Sequence, residues 1–210
     1  MSEANGNSLD ALVVLSDSVS LYRGDCREIM ANLGEVDAVV TDPPYPDIDK
    51  GFEITPINFL SDLPCRQVVF WSAVQDFPLS WSAVHIWHKP NGCSSQHYER
   101  IFERNGQRVC RVWRVGCVNS EVAAKMGRDE YHAHPCQKPL KLMGPLVEMV
   151  TEEGGTVLDP FMGSGSTGVA CIRTGRRFVG IEKDARYFEM ARARLENELR
   201  QGLLPLTHNH

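Results

Sequence analysis

Residues 157–184, VLDPFMGSGSTGVACIRTGRRFVGIEKD, constrain the fold more than any other stretch of the chain. A short apolar run stops at Asp159, and a turn with glycines at 163 and 165 follows. A helical run then closes at Gly175, and a second apolar run ends at Glu182. Two strand-length runs joined through a helix belong side by side and parallel, because a parallel pair needs a crossover where an antiparallel pair needs only a turn. Gly163 and Gly165 permit a sharp turn and the close approach of a ligand to the backbone. The order strand, glycine turn, helix, strand, acid is one that grips an adenosine moiety, with Glu182 placed to accept from ribose hydroxyls. The spacing is G-x-G without the third glycine, which weakens a dinucleotide reading. No Lys-Ser/Thr follows, which removes a P-loop.

The remaining chain repeats this alternation. SVSLYRGD (18–25) alternates like a strand, and CREIMANL (26–33) has helical spacing with Asp25 as N-cap. VDAVVTD and RQVVFWS (66–72) read as buried strands, INFLSDL as a short helix, and AVHIWHKPNG (83–92) as a strand ended by a turn. Asn105-Gly106 lies between two strand-like runs and predicts a hairpin there. Pro139 opens a helix with Leu142, Leu146, Met149 and Val150 on one stripe, and residues 185–200 form a last amphipathic helix. The expected class is α/β, with a mainly parallel sheet and helices on both faces. At 210 residues one domain accommodates it all.

No apolar run approaches the roughly 20 residues of a membrane helix, and MSEANGNSLDA does not resemble a secretory signal. Seven cysteines with no Cys-x-x-Cys pair predict free thiols in a reducing cytoplasm and no metal centre. The net charge of −5 conceals a partition: from Arg100 to Arg128 there are seven basic residues against two acidic. Arg100, Arg104, Arg108, Arg111, Arg114 and Arg128 are therefore candidates for contacts to phosphates, with a solvated strand face as the alternative.

Residues 41–46 read TDPPYP, directly after the strand VDAVV. Two consecutive prolines end that strand, remove two amide donors and hold the backbone extended between a carboxylate and an aromatic ring.

Together, TDPPY, HPCQKPLKLM and LDPFMGSGST resemble, in that order, the S-adenosylmethionine-dependent amino-methyltransferases of DNA. The catalytic motif precedes the cofactor motif, as in the permuted beta group. Cys136 stands where that family usually has Thr. The resemblance implies a Rossmann-like, seven-stranded methyltransferase sheet with a C-terminal-side hairpin. It divides the chain into a catalytic half (18–92), a hairpin with a short target-recognition segment (93–133) and a cofactor half (134–201). It assigns catalysis to Asp42, Pro43, Pro44 and Tyr45. It places Asp159, Phe161, Gly163, Ser164 and Gly165 around the methionine part of the cofactor, with Asp42 bordering it. Glu182 is assigned to the ribose, Asp25 to the adenine side, and Lys138 to the cofactor carboxylate or the turn that holds it.

The expected substrate is double-stranded DNA, and many beta-group members form homodimers. Asp at the first motif position goes with adenine N6 rather than cytosine N4. A cytosine enzyme, or a DNA-binding regulator that has lost turnover, are the alternatives. An exocyclic amine is a poor nucleophile, so two acceptors aimed at its hydrogens, the Asp42 carboxylate and the Pro43 carbonyl, are what the stiff segment supplies. Tyr45 offers a flat face for a base flipped out of the duplex. The short span before HPCQKP predicts a brief or degenerate recognition sequence.

Overall fold

The computed structural model describes residues 12–45, 56–90, 97–116 and 137–202. The elements in chain order begin with β1 (Leu12–Ser16), β2 (Val19–Arg23), α1 (Cys26–Met30) and β3 (Ala38–Thr41). A 3-10 helix (Asn58–Asp62) then leads to β4 (Arg66–Trp71), β5 (Ala83–His88), β6 (Tyr98–Arg104) and β7 (Val112–Arg114). The C-terminal part holds α2 (Leu140–Val150), β8 (Thr156–Asp159), α3 (Ser166–Arg173), β9 (Arg177–Glu182) and α4 (Ala185–Gly202).

One mixed sheet runs β1-β2-β9-β8-β3-β4-β6-β5-β7. Its centre, β2-β9-β8-β3-β4, is parallel throughout. Because strand side chains alternate between faces, each central strand feeds two cores. Ala38, Val40, Val68 and Phe70 pack under α2, α3 and α4. Val39, Val69 and Trp71 face the other side, where α1 and the 3-10 helix contribute Ile29 and Leu60. Helices thus cover both faces, as expected. Burial of Leu142, Leu146 and Val150 on α2 matches the stripe read from the sequence, with Met143 and Val147 buried beside them and Met149 packed at the margin.

Two expectations are corrected. The sheet has nine strands rather than seven, because β1 pairs antiparallel with β2 and β7 adds to the far edge. The Asn105-Gly106 turn forms, with Asn105 at φ 53°, but it does not join two paired strands. Both edges of β6 are already occupied, by β4 and by β5, so the chain after the turn crosses to the free edge of β5 and runs parallel to it. The antiparallel hairpin of this region is β5–β6.

Candidate active site

The parallel strands deliver four acids to one edge of the sheet. β2 leads to Asp25, β9 ends at Glu182, β8 at Asp159, and β3 is followed by Asp42. Gly24 N donates to Glu182 O at 3.0 Å and ties the first two strand ends together. The carboxyl edge of such a sheet is where α/β folds bind ligands.

In the glycine turn, Gly163 and Gly165 have φ of 50° and 77°, a region where other residues are strained. A Cβ on Gly165 would lie 3.3 Å from the Ala191 Cβ, so the turn is pressed onto α4. Glu182 organises the same turn, accepting from Gly163 N at 3.0 Å and from Asp184 N at 2.8 Å. Burial raises its carboxyl above the ordinary range despite these bonds. Ser164 is buried, and its carbonyl accepts from Arg194 at 3.0 Å. Phe161 lies part-buried beside Phe59.

Asp159 is buried and its oxygens are bonded by three donors. Oδ1 accepts from Thr41 Oγ1 at 2.7 Å and from Phe161 N at 3.1 Å, and Oδ2 from Thr167 Oγ1 at 2.6 Å. Burial nevertheless pushes this carboxyl up to about 6. The Thr41 bond joins the residue before Asp42 to the end of β8, so the two motifs are fixed to each other. Asp25 caps α1 through Arg27 N at 3.0 Å, and the Arg27 guanidinium holds its carboxyl down at about 2.

Asp42 differs from these. Lys138 Nζ donates to Oδ2 at 2.5 Å, while Oδ1 is buried without a hydrogen-bond partner among the described residues. Lys138 also lies 3.3 Å from Glu99 Oε2, and Lys89 donates to Glu99 Oε1 at 2.5 Å. The four groups alternate in sign and sit against ring faces: Lys138 is 4.9 Å from the Phe70 centroid and Lys89 4.7 Å from that of Trp87. Burial alone would lower Lys138, but Asp42 and Glu99 hold it well above its ordinary value. Burial raises Asp42 against the pull of Lys138, and the Glu99 charge adds to the rise. Lys138, expected beside a cofactor carboxylate, is engaged by two protein carboxylates. Pro43 is buried and Pro44 half-buried. The Tyr45 ring is buried against Trp71, with centroids 5.5 Å apart, so the open flat face expected for a base is covered here.

The arginines do not form one phosphate-facing stripe. Arg104 is buried, donating to Ser80 O, Leu60 O and Gln67 Oε1, and burial lowers its pKa. It pairs in register with Gln67 near the start of β4, so it and the exposed Arg108 lie at the sheet edge opposite Asp42. Arg100 is spent on the carbonyls of Ser72 and Gln75. Arg111 is half-buried against Met149. Arg114 is exposed and level with His88, toward the carboxyl edge. Arg128, His134, Pro135, Cys136 and residues 46–55 lie outside the described residues.

Sequence reasoning missed Glu99, Lys89, Thr41 and Thr167. The charged pair had a visible signal, since Glu99 and Lys89 flank a predicted turn. Among the described residues no helix is long and apolar enough to cross a membrane.

Comparison with known proteins bears on this edge. The DNA methylase profile, N6_N4_Mtase, matches residues 67–193. The chain is 38% identical over 117 residues to Type II methyltransferase M2.DpnII of Streptococcus pneumoniae, covering 54% of this chain and 41% of that protein. It is 44% identical over 68 residues to DNA adenine methyltransferase YhdJ of Escherichia coli K12, covering 32% and 23%. The matches thus span less than half the length of these relatives. The solved M1.HpyAVI–SAM complex aligns with a TM-score of 0.59 at 25% identity, over 84% of this chain and 100% of that one. Asp42 precedes the profile match, whereas Lys138, the glycine turn and Glu182 fall inside it. With more than half of its residues within that match, the chain belongs to the N6/N4 DNA methylase family.

Proposed function

We propose that this chain transfers a methyl group from S-adenosylmethionine to the exocyclic N6 of an adenine flipped out of double-stranded DNA. The observation that carries the reading is the Asp42 Oδ1 atom, a buried acceptor at the end of β3 with no hydrogen-bond partner among the described residues. A buried acceptor left open costs stability and calls for a reason. An amine hydrogen supplied by a substrate is such a reason.

The residues of the edge fit the cofactor. Both Glu182 oxygens accept from backbone amides, and a carboxylate has about four acceptor sites, so capacity remains for a ribose hydroxyl. The acidic edge complements a ligand that carries sulfonium and ammonium charges. Asp25, Phe161, Ser164 and the positive-φ glycines would complete the cradle, and when bound the cofactor supplies an electrophilic methyl. Asp42 accepts one amine hydrogen and the Pro43 carbonyl the other, which draws the nitrogen lone pair out of conjugation. The prolines fix that carbonyl, so little reorganisation accompanies the reaction. The raised proton affinity of Asp42 also suits it to take the proton released once the nitrogen has been alkylated.

Asp rather than Ser at the first motif position favours adenine, as does the name of the Escherichia coli relative. Tyr45 would have to turn from Trp71 to stack on a base. Of the arginines singled out in the sequence, Arg114 is exposed toward this edge and suits a phosphate contact, and the short span before Lys138 favours a brief recognition sequence. Incubating the protein with labelled S-adenosylmethionine and mixed-sequence duplex DNA, then digesting to nucleosides, tests the reading by mass spectrometry. N6-methyladenine is expected. N4-methylcytosine would move the target base, and DNA binding without any methylation would replace the enzyme by a regulator.

A further inference from the structure

Asp42 shares its cation with a second carboxylate. Glu99 on β6 pairs in register with Trp87 on β5, and the Lys89 amide extends the ladder by donating to His97 O at 2.8 Å. Trp87 and Lys89 are two residues apart and so project to one face, which brings the Lys89 ammonium onto Glu99 at 2.5 Å. The other Glu99 oxygen lies 3.3 Å from the Lys138 ammonium, whose nearer partner is Asp42 at 2.5 Å. Lys89, Glu99 and Lys138 are all at least nine-tenths buried, so water screens these charges little.

We propose that Glu99, held by Lys89, is a positioning residue for Asp42: it takes part of the Lys138 cation and so leaves Asp42 a stronger acceptor for the target amine. An ammonium has three donors and one charge. Were Glu99 absent, that charge would fall on Asp42 alone, favour its ionised form and weaken it as an acceptor and base. The groups facing Asp42 are Lys138 ahead of α2, Glu99 on β6, Lys89 after β5 and Asp159 on β8, while Tyr45 faces Lys138. Glu99 and Asp159 oppose ionisation of Asp42; the two lysines favour it. Lys138 is held in place by Trp87 and Phe70 as well as by charge, so the arrangement orients Asp42 Oδ2 and leaves Oδ1 open.

The role of Asp42 in methyl transfer rests on the function proposed above, but its titration can be measured without turnover. In protein labelled with 13C at aspartate carboxyls, the Asp42 resonance is identified by its loss in Asp42→Asn. Glu99→Gln is expected to move its titration to lower pH. Lys89→Met is expected to move it to higher pH, because Glu99 then draws more of Lys138. Opposite movements support the proposal; an unmoved midpoint in both variants, or movement in the reverse sense, overturns it. If Glu99→Gln does not fold, Glu99→Asp, whose shorter side chain draws less of Lys138, is read in its place and is expected to move the midpoint to lower pH.

In turnover, Glu99→Gln should lower kcat by about 10- to 100-fold, shift the acidic limb of the pH profile to lower pH and leave KM for S-adenosylmethionine unchanged. A purely structural Glu99 would leave that limb in place, which again overturns the proposal. A wild-type protein that methylates no DNA would refute the proposed function, while the titration still decides the part played by Glu99.

Discussion

Asp159 and Asp42 stand at the ends of neighbouring strands of one sheet and both have raised proton affinity, but Asp159 is buried whereas the Asp42 side chain is 24% exposed, and their oxygens are used differently. Asp159 has three protein donors, from Thr41, Thr167 and Phe161. Among the described residues Asp42 has one, from Lys138, and one open buried oxygen. The first carboxylate stitches β8 to β3 and to α3. The second is held at one oxygen only, by a cation that a third carboxylate shares. Charge and motif membership do not separate the two. The count of satisfied lone pairs does, and it assigns Asp159 chiefly to the framework and Asp42 to chemistry.

The contrast breaks most visibly in stability. Asp159→Ala leaves two buried hydroxyls and one part-buried amide without an acceptor, at about 1–3 kcal/mol each, so a loss of about 3–9 kcal/mol is expected in urea unfolding. Asp42→Ala should cost no more than about 1 kcal/mol, since Lys138 keeps Glu99. Equal losses would erase the distinction.

Dependence on pH sharpens it. The Asp159 carboxyl lies at about 6 in the fold against an ordinary 3.8, so between those values the folded state holds a proton that the unfolded chain releases. Stability from this group is therefore greatest below about 4 and falls as pH rises to about 6, by roughly 2–3 kcal/mol. Asp159→Asn should remove that slope, read from urea midpoints between pH 4 and 7. Asp25 acts in the opposite sense at lower pH. Its carboxyl is held at about 2, so its contribution is present above about 4 and fades as pH falls toward 2.

Glu182 stands between the two cases, bonded by backbone amides yet with lone pairs remaining. Glu182→Ala should weaken S-adenosylmethionine binding by about 1.5–3 kcal/mol, measured by calorimetry, with a smaller effect on DNA affinity. Unchanged cofactor affinity would class it with Asp159. The smallest effect is expected at Arg108, exposed at the edge away from Asp42. Arg108→Ala should change DNA affinity by less than about 0.5 kcal/mol, checked by fluorescence anisotropy at two salt concentrations.

The sequence disclosed the features that are local. The central strands, the glycine turn with its flanking acids, the α2 stripe and the proline segment are each written within some 30 residues, where periodicity and turn chemistry suffice. Contacts that depend on which strands become neighbours were hidden. Thr41 meets Asp159 across 118 positions, and Asp42 meets Lys138 across 96. The Asn105 turn was legible, but not that both edges of β6 were taken. The arginine run was legible as charge, but an alternating strand turns its side chains to opposite faces and both sheet ends, and Arg104 went into the core. β1 passed unnoticed because five residues ahead of a stronger strand carry little periodic signal.

Under the proposed function the open oxygen of Asp42 serves the reaction and not the fold. Single-turnover methyl transfer by Asp42→Ala, beside its urea unfolding midpoint, tests it most directly. The account predicts transfer slowed at least about 100-fold with the midpoint close to wild type. Transfer near the wild-type rate, or unfolding as severe as that of Asp159→Ala, would contradict it.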